Sequence, residues 1–409
     1  MPTINKTGAA VPHTREAASV GRLRAALTVF FALDGFVFAG WVVRIPAVKA
    51  QVHASASALG LALLGVSAGA VVTMLVTGRL CRRFGNHPVT VVCAVLLSLS
   101  LVLPPLTRSA AALGGVLLVF GAAYGGLNVA MNSAAVDVVA ALGRPVMPGF
   151  HAAFSLGGVL GSGAGSLVAG HLTVTRHLGA LAVVGLLVTT CAGRTVLRHP
   201  APLPAYPPRV PAGGRTAAGA GNAWRPDGRT RGLVVVFGLI ALCTAYGEGA
   251  LADWGALHLQ QDLAAAPGVA ATGYGVFALA MTVGRASGST LLERLGRTPT
   301  LVAGGCTAAV GMLLGSLAPS LWAALLGFGI AGLGLANIFP VAMDRAGALA
   351  GPSGVATAST LGYAGMLLGP PAIGFMADWF SLPAALTSVA VLAAVAAAVG
   401  HAVRHASHA

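Results

Sequence analysis

Apolar residues along this chain lack the 3.6-residue or two-residue alternation of half-buried elements; they come in near-continuous runs of about twenty, broken by short polar segments. A helix needs about 20 such residues to cross a hydrocarbon core ~30 Å thick. The runs lie at roughly 25–45, 58–78, 88–107, 110–136, 149–170, 179–197, 233–257, 269–292, 300–317, 322–343, 355–377 and 382–402. They predict an all-α membrane protein with twelve transmembrane helices.

Composition agrees. Of 409 residues, 56% are hydrophobic and 8% charged, with a mean hydropathy of +0.84; a soluble domain carries about 25% charged residues. The net charge of +14 would suggest nucleic acid in a soluble protein, yet the arginines sit between apolar runs, so topology accounts for them and no nucleic-acid partner is expected. With the N-terminus inside, 19 lysines and arginines fall in cytoplasmic segments, against Lys49, Arg108 and Arg176 on the other side. Both termini are therefore expected in the cytoplasm of a bacterial inner membrane. The first run is too long for a signal peptide, contains Asp34 and lacks a small-x-small site, so it reads as an uncleaved helix. The five cysteines form no CxxC pair, and no disulfide framework, metal site or cofactor is expected.

Residues 198–231 are rich in Pro, Gly and Arg and read as a cytoplasmic linker between two six-helix bundles, 25–197 and 232–402, with cytoplasmic tails at 1–24 and 403–409. The bundles share features in the same order: Trp41 with Trp254, the loop 82–88 with 293–299, Asn128 with Asn337, and Gly157/Gly161 with Gly365/Gly369. A spacing that drifts from 213 down to 208 fits duplication followed by loop deletions.

That plan, six plus six spans around a long central loop, resembles the major facilitator superfamily over nearly the whole chain. Gly78-Arg79-Leu80-Cys81-Arg82-Arg83-Phe84-Gly85 is similar to the superfamily's G-x-x-x-D-R-x-G motif, with Arg82 where an aspartate usually stands. Asp34-Gly35, Trp41 to Pro46, Asn128 to Asn132 and Phe150 to Gly158 resemble the branch near fucose permease. The resemblance implies a secondary transporter that acts as a monomer on a small-molecule substrate by alternating access, and a sugar or other polar metabolite as cargo.

The polar residues inside the apolar runs are the candidates for chemistry. Asp34 lies about ten residues into the first run, ~15 Å deep, where a carboxylate costs about 2.5–3.5 kcal/mol and must be paired or able to take a proton. Arg44 and Arg285 are possible partners; the functional reading makes Asp34 a proton-coupling residue. Glu248 occupies the equivalent helix of the second half. Trp41, seven residues after Asp34 and on the same face, and its counterpart Trp254 could stack on a flat solute or anchor the helix. Tyr124, Asn128 and Asn132 form a polar stripe that could bind a polyhydroxylated ligand or join helices. His151 and Ser155, with Asn337 and Tyr363, complete the expected substrate site. Asp253 is expected nearer the outer edge, in contact with water.

Gating ion pairs are expected between Arg285 and Asp344 and between Arg82 or Arg83 and Asp137, with Arg294 in the repeated loop. Gly369-Pro370-Pro371 should bend its helix. No GxxxxGK[ST] loop is present, which argues against direct ATP use. A proton-coupled transporter is the leading reading. An efflux antiporter would favour an aromatic-lined cavity, and aromatic residues are only 6%. An embedded enzyme is disfavoured by the lack of a nucleophile–base pair or metal cluster, and no enzymatic activity is expected.

Overall fold

The computed structural model describes residues 11–142, 146–199 and 228–404. Fourteen helices account for nearly all of them: α1 (Val11–Val42), α2 (Ile45–Gln51), α3 (Ala56–Phe84), α4 (Asn86–Ser100), α5 (Ala110–Leu142), α6 (Met147–Val168), α7 (Val174–Arg198), α8 (Gly228–Gln261), α9 (Pro267–Ala286), α10 (Gly288–Leu295), α11 (Arg297–Leu317), α12 (Leu321–Leu335), α13 (Ile338–Trp379) and α14 (Leu382–Ala402). Ten segments are long and apolar enough to cross a membrane. α6 and the second part of α13, both rich in glycine, bring the spans to twelve.

Two of these spans are broken helices. The eighth is α9 followed by α10, and the tenth is α12 followed by the start of α13. α13 is itself interrupted at Ala350 (φ −139°) and Gly351 (φ 56°), which separates spans ten and eleven. Helix runs without a break through Gly369-Pro370-Pro371, where a bend is expected. Pro370 has no N–H to offer the Met366 carbonyl one turn back. Ser67 of α3 donates to that carbonyl instead, at 3.1 Å, so the missing bond is replaced from the other half of the molecule.

The pairing of helices repeats between the halves. α1 packs on α6 as α8 packs on α13; α3 on α5 as α9 on α12; α4 on α7 as α11 on α14. The repeated loop repeats in conformation too: Gly85 (φ 87°) and Gly296 (φ 85°) each turn the chain in the left-handed region between two helices, where a residue with a Cβ is strained. Residues 11–24, expected as tail, already belong to α1. At the linker's edges Arg198 ends α7 and Gly228 begins α8. The rest of the linker (200–227), Arg144 and the extreme tails lie outside the described residues.

The halves meet through α3 with α13 and α6 with α9. These contacts gather at the end of the molecule that carries α2. There the Asp378 carboxylate accepts from the backbone N–H groups of Ala56 (3.0 Å) and Ser57 (2.8 Å), capping α3 from across the interface. Ser162 donates to the Ala271 carbonyl at 2.8 Å. A Cβ at Gly60 or Gly374 would collide with the backbone of the opposite half at Pro370 or Ala56. This end is closed.

Close packing also rules inside each half. A methyl group at Gly157 would strike the Ala32 carbonyl of α1, whereas one at Gly163 of the same helix would meet nothing within 4 Å. Gly157→Ala should therefore destabilise the purified protein by about 1–3 kcal/mol. Gly163→Ala should leave its thermal midpoint unchanged or slightly raised. Equal midpoints for the two variants would show that α1 and α6 are not in backbone contact.

Candidate functional site

Between the halves lies a cavity of about 410 Å³, walled by α1, α3, α5, α6, α8, α9 and α13. From the first half come Phe38, Tyr124, Asn128 and Phe154; from the second Glu248, Asp253, Tyr274, Phe277, Arg285 and Tyr363. The rings form a connected surface: the Phe38 centroid is 5.3 Å from that of Tyr124 and 6.1 Å from that of Tyr274.

Asp34 lies behind this wall. It is wholly buried, and neither carboxylate oxygen has a hydrogen-bond partner among the described residues. At the next residue, Gly35, α1 closes onto the backbone of α6 at Phe154. The Asn128 amide stands against the carboxylate without a hydrogen bond of full geometry. Asn132 donates back to the Asn128 carbonyl (2.8 Å) and to its side-chain oxygen (3.2 Å), which turns the Asn128 NH₂ away from its own helix. The α5 stripe thus divides: Tyr124 and Asn128 line the cavity, and Asn132 orients Asn128. Arg44 does not pair with Asp34; it donates to His177 Nδ1 (2.6 Å) and to the Ala169 and Val168 carbonyls at the end of α6.

In the second half Arg285 Nη2 donates to both oxygens of Glu248, each at 3.2 Å, inside the cavity wall. The partner expected for Arg285, Asp344, is instead held by Arg297 at 2.6 Å. Asp137 accepts from Asn86 at 2.7 Å rather than from Arg82 or Arg83, since Asn86 follows directly on the Gly85 turn. Arg82, Arg83 and Arg294 are exposed and join no ion pair among the described residues, while Arg83 stacks 5.2 Å over Phe84.

Other expected site residues fall outside the cavity wall. Trp41 and Trp254 are 2% and 0% exposed and do not line the cavity; Trp41 packs against Phe120 of its own half. His151 is exposed and edge-on to Phe31 at 5.5 Å. Ser155 is half-buried near it. Asn337 donates to the Gly284 carbonyl at 2.8 Å, satisfying the last turn of α9. Asp253, by contrast, lines the cavity and is half-buried. α8 continues to Gln261, four residues beyond the expected end, which carries Asp253 a turn deeper. The aromatic wall was also missed, because Phe38, Tyr274 and Phe277 look like ordinary apolar positions in sequence.

Comparison with known proteins places this geometry. The Major Facilitator Superfamily family model matches residues 25–254. An uncharacterised MFS-type transporter of Yersinia pestis is 34% identical, over 88% of this chain and 91% of the relative. An uncharacterised transporter of Sinorhizobium fredii is 33% identical (85% and 89%), and the membrane protein MosC of Rhizobium meliloti 29% identical (87% and 84%). Among solved structures, a bacterial homolog of the human lysosomal transporter Spinster superposes with a TM-score of 0.74 at 16% identity, over 93% of this chain and 96% of that one. A D323A mutant of the nucleoside transporter NupG gives 0.71 at 13% identity, over 93% and 100%.

The Glu248–Arg285 bridge makes a stability prediction. Glu248→Gln leaves an unpaired guanidinium and Arg285→Gln an unpaired carboxylate, so each single variant should lower the thermal midpoint. The double variant should recover most of the loss, a coupling that a thermal-melt cycle measures directly. Strict additivity of the two losses would mean the bridge contributes nothing to the fold.

Proposed function

This chain belongs to the Major Facilitator Superfamily, and from that membership we propose that it is a proton-coupled secondary transporter carrying a small polar solute by alternating access through the central cavity. The observation that carries the reading is Asp34: a wholly buried carboxylate without a partner, one side chain removed from a cavity that both halves build. A carboxylate dehydrated in one state and hydrated in another can load a proton on one side and release it on the other. Glu248, already bridged to Arg285, is the second candidate for coupling.

The basic asymmetry supports a bacterial inner-membrane protein with both termini and the linker in the cytoplasm. On that orientation the closed α2 end faces outward. The sequence segments around Asp34, Asn128 and His151 support a place near the fucose permease branch. Efflux is the second reading, favoured by the cavity wall: six rings line it although aromatic residues are few overall.

Reporter fusions at both termini and within 200–227 should all report the cytoplasm; an outside signal at either terminus would invert the assignment of the closed face.

For coupling, a ligand is first found by thermal shift against sugars, polyols, amino acids and antibiotics. Asp34→Asn, nearly isosteric with the protonated acid, should then keep binding and downhill exchange. It should lose accumulation driven by an imposed pH gradient in vesicles. A variant that still concentrates the ligand to the wild-type level removes Asp34 from the coupling step and makes Glu248 the next residue to test.

A further inference from the structure

We propose that the solute bound in this cavity is an organic cation, an ammonium group on a small scaffold, with Asp253 as its counter-charge and the aromatic wall as its cradle. The proposal rests on the reading of the cavity as the transport site and names the chemical class that site selects.

The charges in the wall do not balance. Glu248 and Arg285 satisfy each other through two bonds of 3.2 Å. Asp253 makes no hydrogen bond and no ion pair among the described residues. Behind Asn128, Asp34 adds a second carboxylate without a counter-charge. A carboxylate in such a place is strongly disfavoured unless a cation or a proton joins it. The second half presents such a group directly to the cavity.

The rings argue for the same sign. Phe38, Tyr124, Phe154, Tyr274, Phe277 and Tyr363 turn toward the cavity from five helices. The faces of aromatic rings attract cations and do not attract anions. Tyr274 lies within electrostatic reach of Glu248, Arg285 and Asp253, so ring and carboxylate act on one volume. The hydroxyls of Tyr124, Tyr274 and Tyr363 have no protein hydrogen-bond partner among the described residues, whereas the cavity-remote Tyr246 bonds Ser388 at 2.9 Å. Three such hydroxyls can accept from an ammonium or bond hydroxyls on its scaffold.

The alternatives fit less well. An anionic solute would have to draw Arg285 from Glu248 and so leave a third carboxylate without a counter-charge. A neutral polyol can bond the phenols and Asn128 but supplies no charge to Asp253, which would then need a proton of its own.

The test uses the purified full-length protein and two matched sets of probes: tyramine, para-ethylphenol and para-hydroxyphenylacetate; glucosamine, glucose and glucuronate. Within each set the scaffold is kept and the charge goes from positive through zero to negative. The ammonium member of at least one set should raise the thermal midpoint in a saturable way, and its uncharged and acidic partners should not. Asp253→Asn should weaken binding of that cation at least tenfold; Asp253→Glu, which keeps the charge, should retain most of it, which separates lost recognition from lost folding. Tyr274→Phe should weaken it less than Asp253→Asn. Stronger binding of a neutral or acidic probe overturns the cation class and leaves the cavity as a transport site. A cation shift that survives both Asp253→Asn and Tyr274→Phe places binding elsewhere and overturns the cavity reading as well. Binding by none of the six probes overturns the proposal as stated.

Discussion

In a bilayer every backbone N–H and C=O must be satisfied without water, so each span is a helix bonded to itself and side chains alone set how near two helices come. Here that distance is set by glycine. Gly35 and Gly157 join α1 to α6 backbone to backbone, Gly69 and Gly121 join α3 to α5, and Gly60 and Gly374 join α3 to α13 across the halves. The cavity opens where this pattern stops and Phe38, Tyr124, Tyr274 and Tyr363 replace small residues between the halves. Asp34 is buried beside this close packing, with Asn128 of α5 against its carboxylate.

Those rules explain what could be read from the sequence. Run length gave the twelve spans, because the bilayer fixes the length and α4, α11 and α14 begin or end within a few residues of the expected limits. The repeat was legible at Gly85 and Gly296, whose left-handed backbone only glycine adopts without strain. Asp34, Glu248, Tyr124, Asn128 and Tyr363 were legible as cavity residues or their neighbours, because a polar group in an apolar run needs a reason to be there. The partners were not. Whether Arg285 meets Glu248 or Asp344 depends on how α8 and α9 cross, and sequence spacing carries no information on crossing. Trp41 misled because a seven-residue spacing from Asp34 fixes the face of a helix but not whether that face looks into the cavity, and Trp254, read as its repeat counterpart, followed it.

Besides the close packing at Gly60 and Gly374, the closed end carries a small set of polar contacts: Asp378 on two N–H groups, Ser67 on the carbonyl freed by Pro370, and Ser162 on Ala271. A hydrogen bond of this kind contributes about 0.5–1.5 kcal/mol net, somewhat more when one partner is charged. Their sum is of the same order as the differential affinity a ligand can show for two states. On the proposed reading, these bonds break and re-form as the halves separate and meet at this end. Asp378 matters because its acceptors' partners, Ala56 and Ser57, lie in the other half, so separation of the halves at this end breaks both bonds together.

The placement of charge explains how the cavity could sense both its occupant and a proton. Asp34 belongs to α1 and reaches the cavity through Asn128 of α5, all within the first half; Asp253, Glu248 and Arg285 belong to α8 and α9 in the second. A rocking motion of one half against the other leaves the contacts inside each half intact and changes only what each half presents across the gap. Asn128 is held by Asn132 and moves with its half, and it stands between Asp34 and the cavity. A solute that bridges Asn128 and the Asp253 side would bring that wall closer and exclude water from Asp253, while Asp34 is already shielded behind Asn128. On the proposed reading, occupancy and protonation are then linked through the one cavity and Asn128 beside it, with no direct bond between solute and Asp34 required.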